Sequence, residues 1–269
     1  MPRVTIAIPV YNKGKYLAET IASAVAQTYD DFEILVLDNC STDESWAIVE
    51  SFDDARIRKV RWPENIGRIA NFNRVFELAD SEFVKLLDAD DLMKPGCIAA
   101  EVEAFDAVGG DAAMTAVQHD LISAKGRTLL RSKGLHGLSG YYSGSEAVEL
   151  AVRAAGNIFG TESTSLVRGE VARKVPWREG DLEIDFYLRV LTLGGLVVIP
   201  QSYIKVRLNS DSHSAKNAAS YAKGYQRSVD ELVGSGAFPD LQPLTPRERF
   251  RTSFYVTTFR MIQWVGVRV

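Results

Sequence analysis

The sequence predicts an α/β protein: a doubly wound, mostly parallel sheet with helices on both faces and a helical appendage at the C-terminus. Three observations carry this. Strand and helix patterns alternate four times between Val4 and Asp91. The strand runs are apolar and β-branched with few breaks, as in parallel sheets covered on both faces. Acids stand where strands end, and sheets of this class bind ligands at the carboxyl ends of their strands.

Val4 to Val10 opens the chain as a strand and closes at Pro9-Val10-Tyr11-Asn12. Leu17, Ile21, Ala24 and Val25 then recur at helical spacing. Phe32 to Leu37 is a second strand, ending in Asp38-Asn39-Cys40-Ser41-Thr42-Asp43, where Thr42 or Asp43 can cap the helix that carries Trp46, Ile48 and Val49. Arg56 to Trp62 is the third strand, and a helix from about Ile66 to Ala79 follows a turn at Pro63-Glu64-Asn65. The fourth strand begins at Phe83 and stops in Asp88-Ala89-Asp90-Asp91. Lys94-Pro95-Gly96 should start another helix, through Ile98, Val102 and Phe105 to Gly109-Gly110, before a strand from Ala112 to Val117.

The second half is less regular. Ser123 to Ser143, rich in Gly, Lys, Arg and Ser, is either a hairpin or a mobile lid. A helix carries Ala147, Val148, Leu150 and Ala151, and the small polar run Gly160 to Ser165 precedes Leu166-Val167. Leu182 to Leu193 is a helix with acids in its first turn, followed by short strands at Leu196–Ile199 and Tyr203–Arg207. Beyond Lys216 the character changes: Tyr221, Tyr225, Val229 and Leu232 lie along a helix, 234–246 is a loop, and 247–264 is a basic, aromatic-rich helix candidate.

A chain of 269 residues, 46% hydrophobic, builds one large domain or one domain with an appendage. A formal net charge of -4 and a pI near 5.5 argue against nucleic acid as a partner. Cys40 and Cys97 are too few and too far apart for a disulfide framework or a zinc site, which points to a reducing compartment. The start at Met1-Pro2-Arg3-Val4 lacks a signal-peptide pattern, and no run approaches the roughly 20 apolar residues of a membrane span. The expected location is cytoplasmic, with the inner face of the membrane as a peripheral option. Arg247, Arg249, Arg251 and Arg260 interleave with Phe250, Phe254, Tyr255, Phe259 and Trp264, which suits contact with a membrane surface, a helix packed on the domain, or a homodimer.

The acids after the fourth strand pose the sharpest chemical question. Two like charges about 4 Å apart repel by roughly 4 kcal/mol at an effective dielectric near 20, so three at the end of a buried strand need a partner. Asp-x-Asp oxygens suit Mg²⁺ or Mn²⁺, which complete their shells with water and substrate phosphates. A solvated acidic turn is the plain alternative.

Taken together, Val4 to Asn12, Asp38 with Ser41-Thr42-Asp43, Asn65-Ile66-Gly67, Asn71, Asn73 and Leu87-Asp88-Ala89-Asp90-Asp91 resemble the family 2 glycosyltransferases, inverting enzymes of the GT-A fold. The resemblance is strong from Val4 to about Phe105 and looser from Gly160 to Ser214. It implies a GT-A catalytic domain over 1–215, with a nucleotide-binding half at 1–108 and an acceptor-binding half at 109–215, and a helical tail over 216–269. By analogy Pro9, Tyr11 and Asp38 hold the base, Asp88 the ribose and Asp90 the metal that bridges the diphosphate, while Arg68 approaches the nucleotide. Asn12 and Ala89 belong to the same nucleotide-binding motifs. Asn71 and Asn73 are read as structural, and Asn39-Cys40 stands where the family often shows Asp-Gly.

The family's catalytic base precedes a Leu-x-x-Arg-like helix end, and counting back from Arg189 puts it at Glu183, with Asp185 as the rival. These two point about 200° apart on a helix, so only one can face the acceptor. The family's Arg-x-His is here Arg207-Leu208-Asn209 with the histidine displaced to His213, a second candidate metal ligand. The implied reaction moves a sugar from a nucleoside diphosphate sugar, UDP- or dTDP-linked, to a hydroxyl of a glycan or lipid-linked acceptor, using Mn²⁺ or Mg²⁺. A sugar nucleotidyltransferase, a dehalogenase-type phosphatase and a non-catalytic sugar-nucleotide or glycan-binding module remain the alternatives.

Overall fold

The strand-helix alternation of the first half is present element by element. The structure, a computed structural model, describes residues 1–154, 156–178, 183–208 and 213–251, with side chains except at 136 and 213–222. In order the elements are β1 (Val4–Val10), α1 (Gly14–Val25), β2 (Phe32–Asp38), α2 (Ser45–Ser51), β3 (Ile57–Arg61), α3 (Arg68–Leu78), β4 (Phe83–Leu86), β5 (Leu92–Met93) and α4 (Cys97–Val108). They continue with β6 (Ala112–Ile122), β7 (Thr128–Lys133), β8 (Gly140–Tyr142), α5 (Gly144–Ala154), β9 (Leu166–Arg168), α6 (Gly169–Lys174), α7 (Glu183–Val190), β10 (Gly195–Arg207) and α8 (His213–Ser235).

One sheet runs through the molecule in the order β3-β2-β1-β4-β9-β6-β10-β5, with β7 beside β6 and β8 beside β10. β1, β2, β3 and β4 are parallel; β9 is antiparallel to both β4 and β6, and β10 runs parallel to β6, so these six long-sheet strands share one direction. The chain steps outward from β1 through β2 to β3, then returns to the other side of β1 as β4. That reversal opens a crevice at the carboxyl ends of β1 and β4, where such sheets take ligands.

Both faces of the sheet are covered, which is why its strands read as unbroken apolar runs. Ile6, Ile8 and Val10 of β1 and Ile34 and Val36 of β2 pack with Leu17 and Ile21 of α1 and Val102 and Phe105 of α4. The alternate residues Ala7, Leu35 and Leu37 face Phe72, Val75 and Phe76 of α3 and the second-half helices. Two such layers over one sheet constitute the expected doubly wound α/β architecture.

The second half settles one open alternative and departs from its expected outline in one place. Ser123 to Ser143 contains a β6–β7 hairpin, its turn closed by Gly126 N–H to Ser123 O and Ser123 N–H to Arg127 O, rather than a lid. The two strands expected at Leu196–Ile199 and Tyr203–Arg207 are one strand, β10, whose register against β6 slips between Ile199 and Ser202 and again before Ile204. Bulges of this kind re-aim side chains while keeping the ladder continuous.

α8 begins before residue 216 and docks on the domain. Its Tyr225, Val229 and Leu232 are buried in the same apolar cluster as α5 and α7, and Tyr225 donates to the Ala151 carbonyl at 2.8 Å. Of the basic tail, helical residues 246–251 are described: Arg249 turns inward to Asp230 at 2.5 Å, and Phe250 is exposed. Phe254, Tyr255, Phe259, Arg260 and Trp264 lie outside the described residues. Among the described residues no helix is long and apolar enough to cross a membrane.

Candidate active site

Three loops meet at the β1/β4 crevice, and the first is held by the chain's own polar side chains. Asn12, at φ 51°, accepts from Thr42 N–H with Oδ1 at 2.8 Å and donates its own N–H to Ser41 Oγ at 3.0 Å. Asp43 reaches both helix N-termini, taking Gly14 N–H at 3.0 Å and Ser45 N–H at 2.9 Å. A Cβ at Gly14 would stand 2.5 Å from Glu44 Cγ, so that side chain would have to turn aside. Cys40 sits at φ 60°, the left-handed conformation natural to the glycine of the family's Asp-Gly, so the loop keeps its shape with a strained residue in the glycine's place. Asn39 ties this loop to the start of α3, accepting from Ile66 N–H and donating to Asn65 Oδ1.

Tyr11 is 45% exposed at the end of β1, a free aromatic face. Asp38 is fully buried; its Oδ2 accepts from Ser41 N–H at 3.1 Å and lies 3.2 Å from Arg61 Nε, yet its Oδ1 has no hydrogen-bond partner among the described residues. A buried carboxylate oxygen without a donor is costly, and it is satisfied by a ligand N–H delivered to that point. Pro9 is partly buried on β1 opposite Leu37, beside Asp38's strand.

At the end of β4 the acids separate in role. Asp91 is tied off, Oδ1 accepting from Arg207 N–H at 2.9 Å and Oδ2 from Ser163 O–H at 2.8 Å. Asp90 Oδ2 lies 2.7 Å from Lys13 Nζ. The Asp88 carboxylate makes no hydrogen bond among the described residues; burial, then Glu162 and Asp90, push its pKa well above the usual carboxylate range. The Ala89 side chain is packed in the core with Leu87 and Ile8.

The far wall comes from the second half. Arg68, at the start of α3, lies over the Phe72 ring at 4.4 Å and pairs with Glu162. Glu162 and Glu183 are both buried. Burial first, then the neighbouring Glu183, lifts the Glu162 carboxyl to about 8, and a hydrogen bond between the two carboxyls favours the proton on Glu162. Burial also raises Glu183, against the pull of Arg68. For the Arg68 guanidinium, burial works downward and is outweighed by Glu162, Glu183 and Asp88. Asp185 points elsewhere, accepting from Ser228 O–H of α8 in a buried contact. Thus Glu183 joins Arg68 and Asp88 at the crevice while Asp185 joins the helix packing, the divergence that helical geometry demands.

Asn71 and Asn73 serve structure: Asn71 accepts from Trp62 Nε1 and reaches the Leu37 carbonyl, and Asn73 pairs with the Trp177 backbone. The side chain of His213 lies outside the described residues. Residues that the sequence did not single out for the site also matter here: Lys13, Arg61, Glu162 and Ser163, together with Arg207, noted there only as part of the Arg-x-His comparison. Arg207 is buried, stacking over Tyr16 at 4.6 Å and donating Nε to the Asp90 carbonyl at 2.9 Å, so it fixes the acidic turn from beneath.

The donor set can be tested for a divalent cation. No group of three or more His, Cys, Asp or Glu among the described residues forms a metal cage. Asp90 is nonetheless placed at the crevice beside Asp88, whose carboxylate takes no hydrogen bond among the described residues. Mg²⁺ and Mn²⁺ in phosphate sites use one or two carboxylates and take the rest of their shell from phosphates and water, so these residues fit such an ion.

Fold and crevice together define an α/β protein built to take a ligand at the carboxyl ends of β1 and β4, and comparison places it further. The profile of glycosyl transferase family 2 matches residues 5–172, and the chain belongs to that family. It is similar to the glycosyltransferase GlyG of Streptococcus pneumoniae, 33% identical over 97 residues that cover 35% of this chain and 32% of the relative. A glucosyltransferase of Escherichia coli, WfaP, whose name gives UDP-Glc as donor and α-D-GlcNAc-diphosphoundecaprenol as acceptor, is 33% identical over 91 residues, 34% of this chain and 36% of the relative. The matches thus span about a third of these relatives' length. Among solved structures, Staphylococcus aureus TarS with UDP-GlcNAc superposes with a TM-score of 0.69 at 15% identity, over 95% of this chain and 71% of that one. The mannosyltransferase PcManGT of Pyrobaculum calidifontis, in complex with GDP-Man and Mn²⁺, gives 0.65 at 14% identity, over 98% and 74%. The fold is the GT-A fold of these glycosyltransferases.

Proposed function

We propose that this chain is an inverting, divalent-cation-dependent glycosyltransferase that moves a sugar from a nucleoside diphosphate sugar to an acceptor hydroxyl. The observation that carries the reading is the acidic turn at the β1/β4 crevice, with Asp88 unbonded and the buried pair Glu162–Glu183 on the opposite wall. In this reading the base stacks on Tyr11 and gives its imino hydrogen to Asp38 Oδ1, the orphaned acceptor. Uracil and thymine carry that hydrogen at N3 and guanine carries one at N1, so the contact fits a UDP- or dTDP-linked donor and a GDP-linked one as well; TarS, a structural neighbour, holds UDP-GlcNAc, and PcManGT holds GDP-Man.

Asp90, with the diphosphate, would hold Mn²⁺ or Mg²⁺, and the bound ion would stabilise charge on the departing diphosphate. Glu183 takes the acceptor proton as the acceptor oxygen bonds to the anomeric carbon and the carbon–diphosphate bond breaks on the opposite face. Burial makes it a stronger base than an exposed glutamate, while Glu162 keeps the shared proton and leaves Glu183 as the carboxylate. Arg68, anchored on Phe72, holds the two carboxyls in register. Asp185 has no part in the chemistry. The relatives' names support a glycan or lipid-linked acceptor and a role in polysaccharide or glycoconjugate synthesis.

Diphosphate release from a panel of nucleoside diphosphate sugars, with and without Mn²⁺ and with and without candidate acceptors, tests this. Release should need both Mn²⁺ and acceptor, with inverted configuration in the product. Full turnover without acceptor would mark a hydrolase or nucleotidyltransferase instead.

A further inference from the structure

The acidic turn already meets a cation that belongs to the protein. Lys13 stands between Asn12 and Gly14, and all three backbones are pinned: Asn12 to Ser41, Lys13 N–H to Ser45 Oγ at 2.9 Å, and Gly14 to Asp43. From that fixed root a flexible stem carries Nζ to 2.7 Å from Asp90 Oδ2, with the Lys13 side chain 28% exposed and that of Asp90 10%. Asp91 is committed to Arg207 and Ser163, so the ammonium falls to Asp90.

An ammonium and a divalent ion cannot both sit on one carboxylate oxygen, since two cations in contact repel strongly. A lysine is a point charge on four rotatable carbons, suited to leave one anion for another and to bind phosphate without fixed geometry. The nearest new anion is the diphosphate expected at the same crevice.

We propose that Lys13 is an exchangeable counter-ion: it holds Asp90 while the donor site is empty, yields that oxygen to the divalent cation, and then binds the diphosphate of the donor as a positioning residue for the leaving group. This rests on the cation-dependent reading above. The arrangement protects the acids from self-repulsion in the empty enzyme and makes cation binding depend on the diphosphate that receives the displaced ammonium.

The test is Mn²⁺ binding without nucleotide, read from the free-ion EPR signal, for wild type, Lys13→Met, Lys13→Arg and the double variant Lys13→Met/Asp90→Asn, followed by UDP calorimetry at saturating Mn²⁺. Lys13→Met should bind Mn²⁺ about tenfold more tightly than wild type, because a unit of positive charge has left the site. The added Asp90→Asn should abolish that gain. UDP should bind Lys13→Met about tenfold more weakly at saturating Mn²⁺, and Lys13→Arg should recover most of that loss. A lysine that merely supported the loop would not raise metal affinity on removal. Equal or weaker Mn²⁺ binding in Lys13→Met, or unchanged UDP affinity, overturns the exchange. If wild type and Lys13→Met bind Mn²⁺ alike through Asp90, only the exchange fails; if no variant binds Mn²⁺ even with UDP, the cation-dependent reading fails as well.

Discussion

Lys85 and Asp90, on β4 and its exit turn, each meet an opposite charge at hydrogen-bond distance, yet the two clusters differ in what is left over. Lys85 Nζ lies 2.8 Å from both oxygens of Glu101, and both side chains are fully buried. Glu101 also accepts from Thr115 O–H at 3.0 Å and from the Cys97 thiol at 3.4 Å, so its lone pairs are used and the charges cancel. Burial first, and Glu101 next, push the Cys97 thiol well above its usual range, leaving it inert. At the exit turn three acids crowd together, Lys13 Nζ lies 2.7 Å from Asp90, and Asp88 takes no hydrogen bond among the described residues. A balanced, saturated buried pair belongs to the architecture; a surplus of one sign at a strand end awaits a ligand.

The contrast predicts that substitutions in the open cluster damage chemistry while those in the closed pair damage stability. The largest effect is expected at Glu183→Gln. A placed general base contributes a factor of about 10² to 10⁴, so turnover should fall within that range with nucleotide affinity nearly unchanged, while Asp185→Asn costs far less. An inactive Asp185→Asn beside a fully active Glu183→Gln would move the base to Asp185. Next is Lys85→Met, which strands Glu101 without its counter-ion and should destabilise by about 3–5 kcal/mol in urea unfolding. If it unfolds at the wild-type midpoint, the closed pair is not structural and the contrast breaks.

A smaller, pH-dependent effect isolates Glu162. Its carboxyl titrates near 8 in the fold against 4.5 free, so between these values the folded state binds more protons than the unfolded chain. Stability therefore falls as pH rises from 4.5 to about 8. Glu162→Gln removes this slope and should gain on wild type by about 1 kcal/mol or more between pH 5 and 8.5 by urea unfolding. A constant stability difference across that window would dissolve the carboxyl pair.

The sequence disclosed the first half well because its strands are buried on both faces and their apolar runs are unbroken, and because Asp38, Asp88 and Asp90 fall at strand ends. β10 looked like two strands because Gln201 and Ser202 interrupt its apolar pattern where the register slips. The start of α8 was hidden for a different reason: its core contacts come from Tyr225, Val229 and Leu232, well after 216, so the composition change did not mark where the helix begins. Glu162 was invisible as a site residue because its partner Arg68 is 94 residues away, and one acid within Gly160 to Ser165 has no local pattern. An acid in a small polar run just before a central strand was the only available signal. Lys13 was likewise a lone lysine; only the fold sets it against Asp90.

The central claim is that Asp90 holds a divalent cation together with the donor diphosphate. Calorimetry of UDP, dTDP and GDP with wild type and Asp90→Ala, with and without Mn²⁺, tests it most directly. The account predicts that Mn²⁺ strengthens binding of at least one nucleotide to wild type and that this gain disappears in Asp90→Ala. The same Mn²⁺-dependent affinity in Asp90→Ala would contradict it.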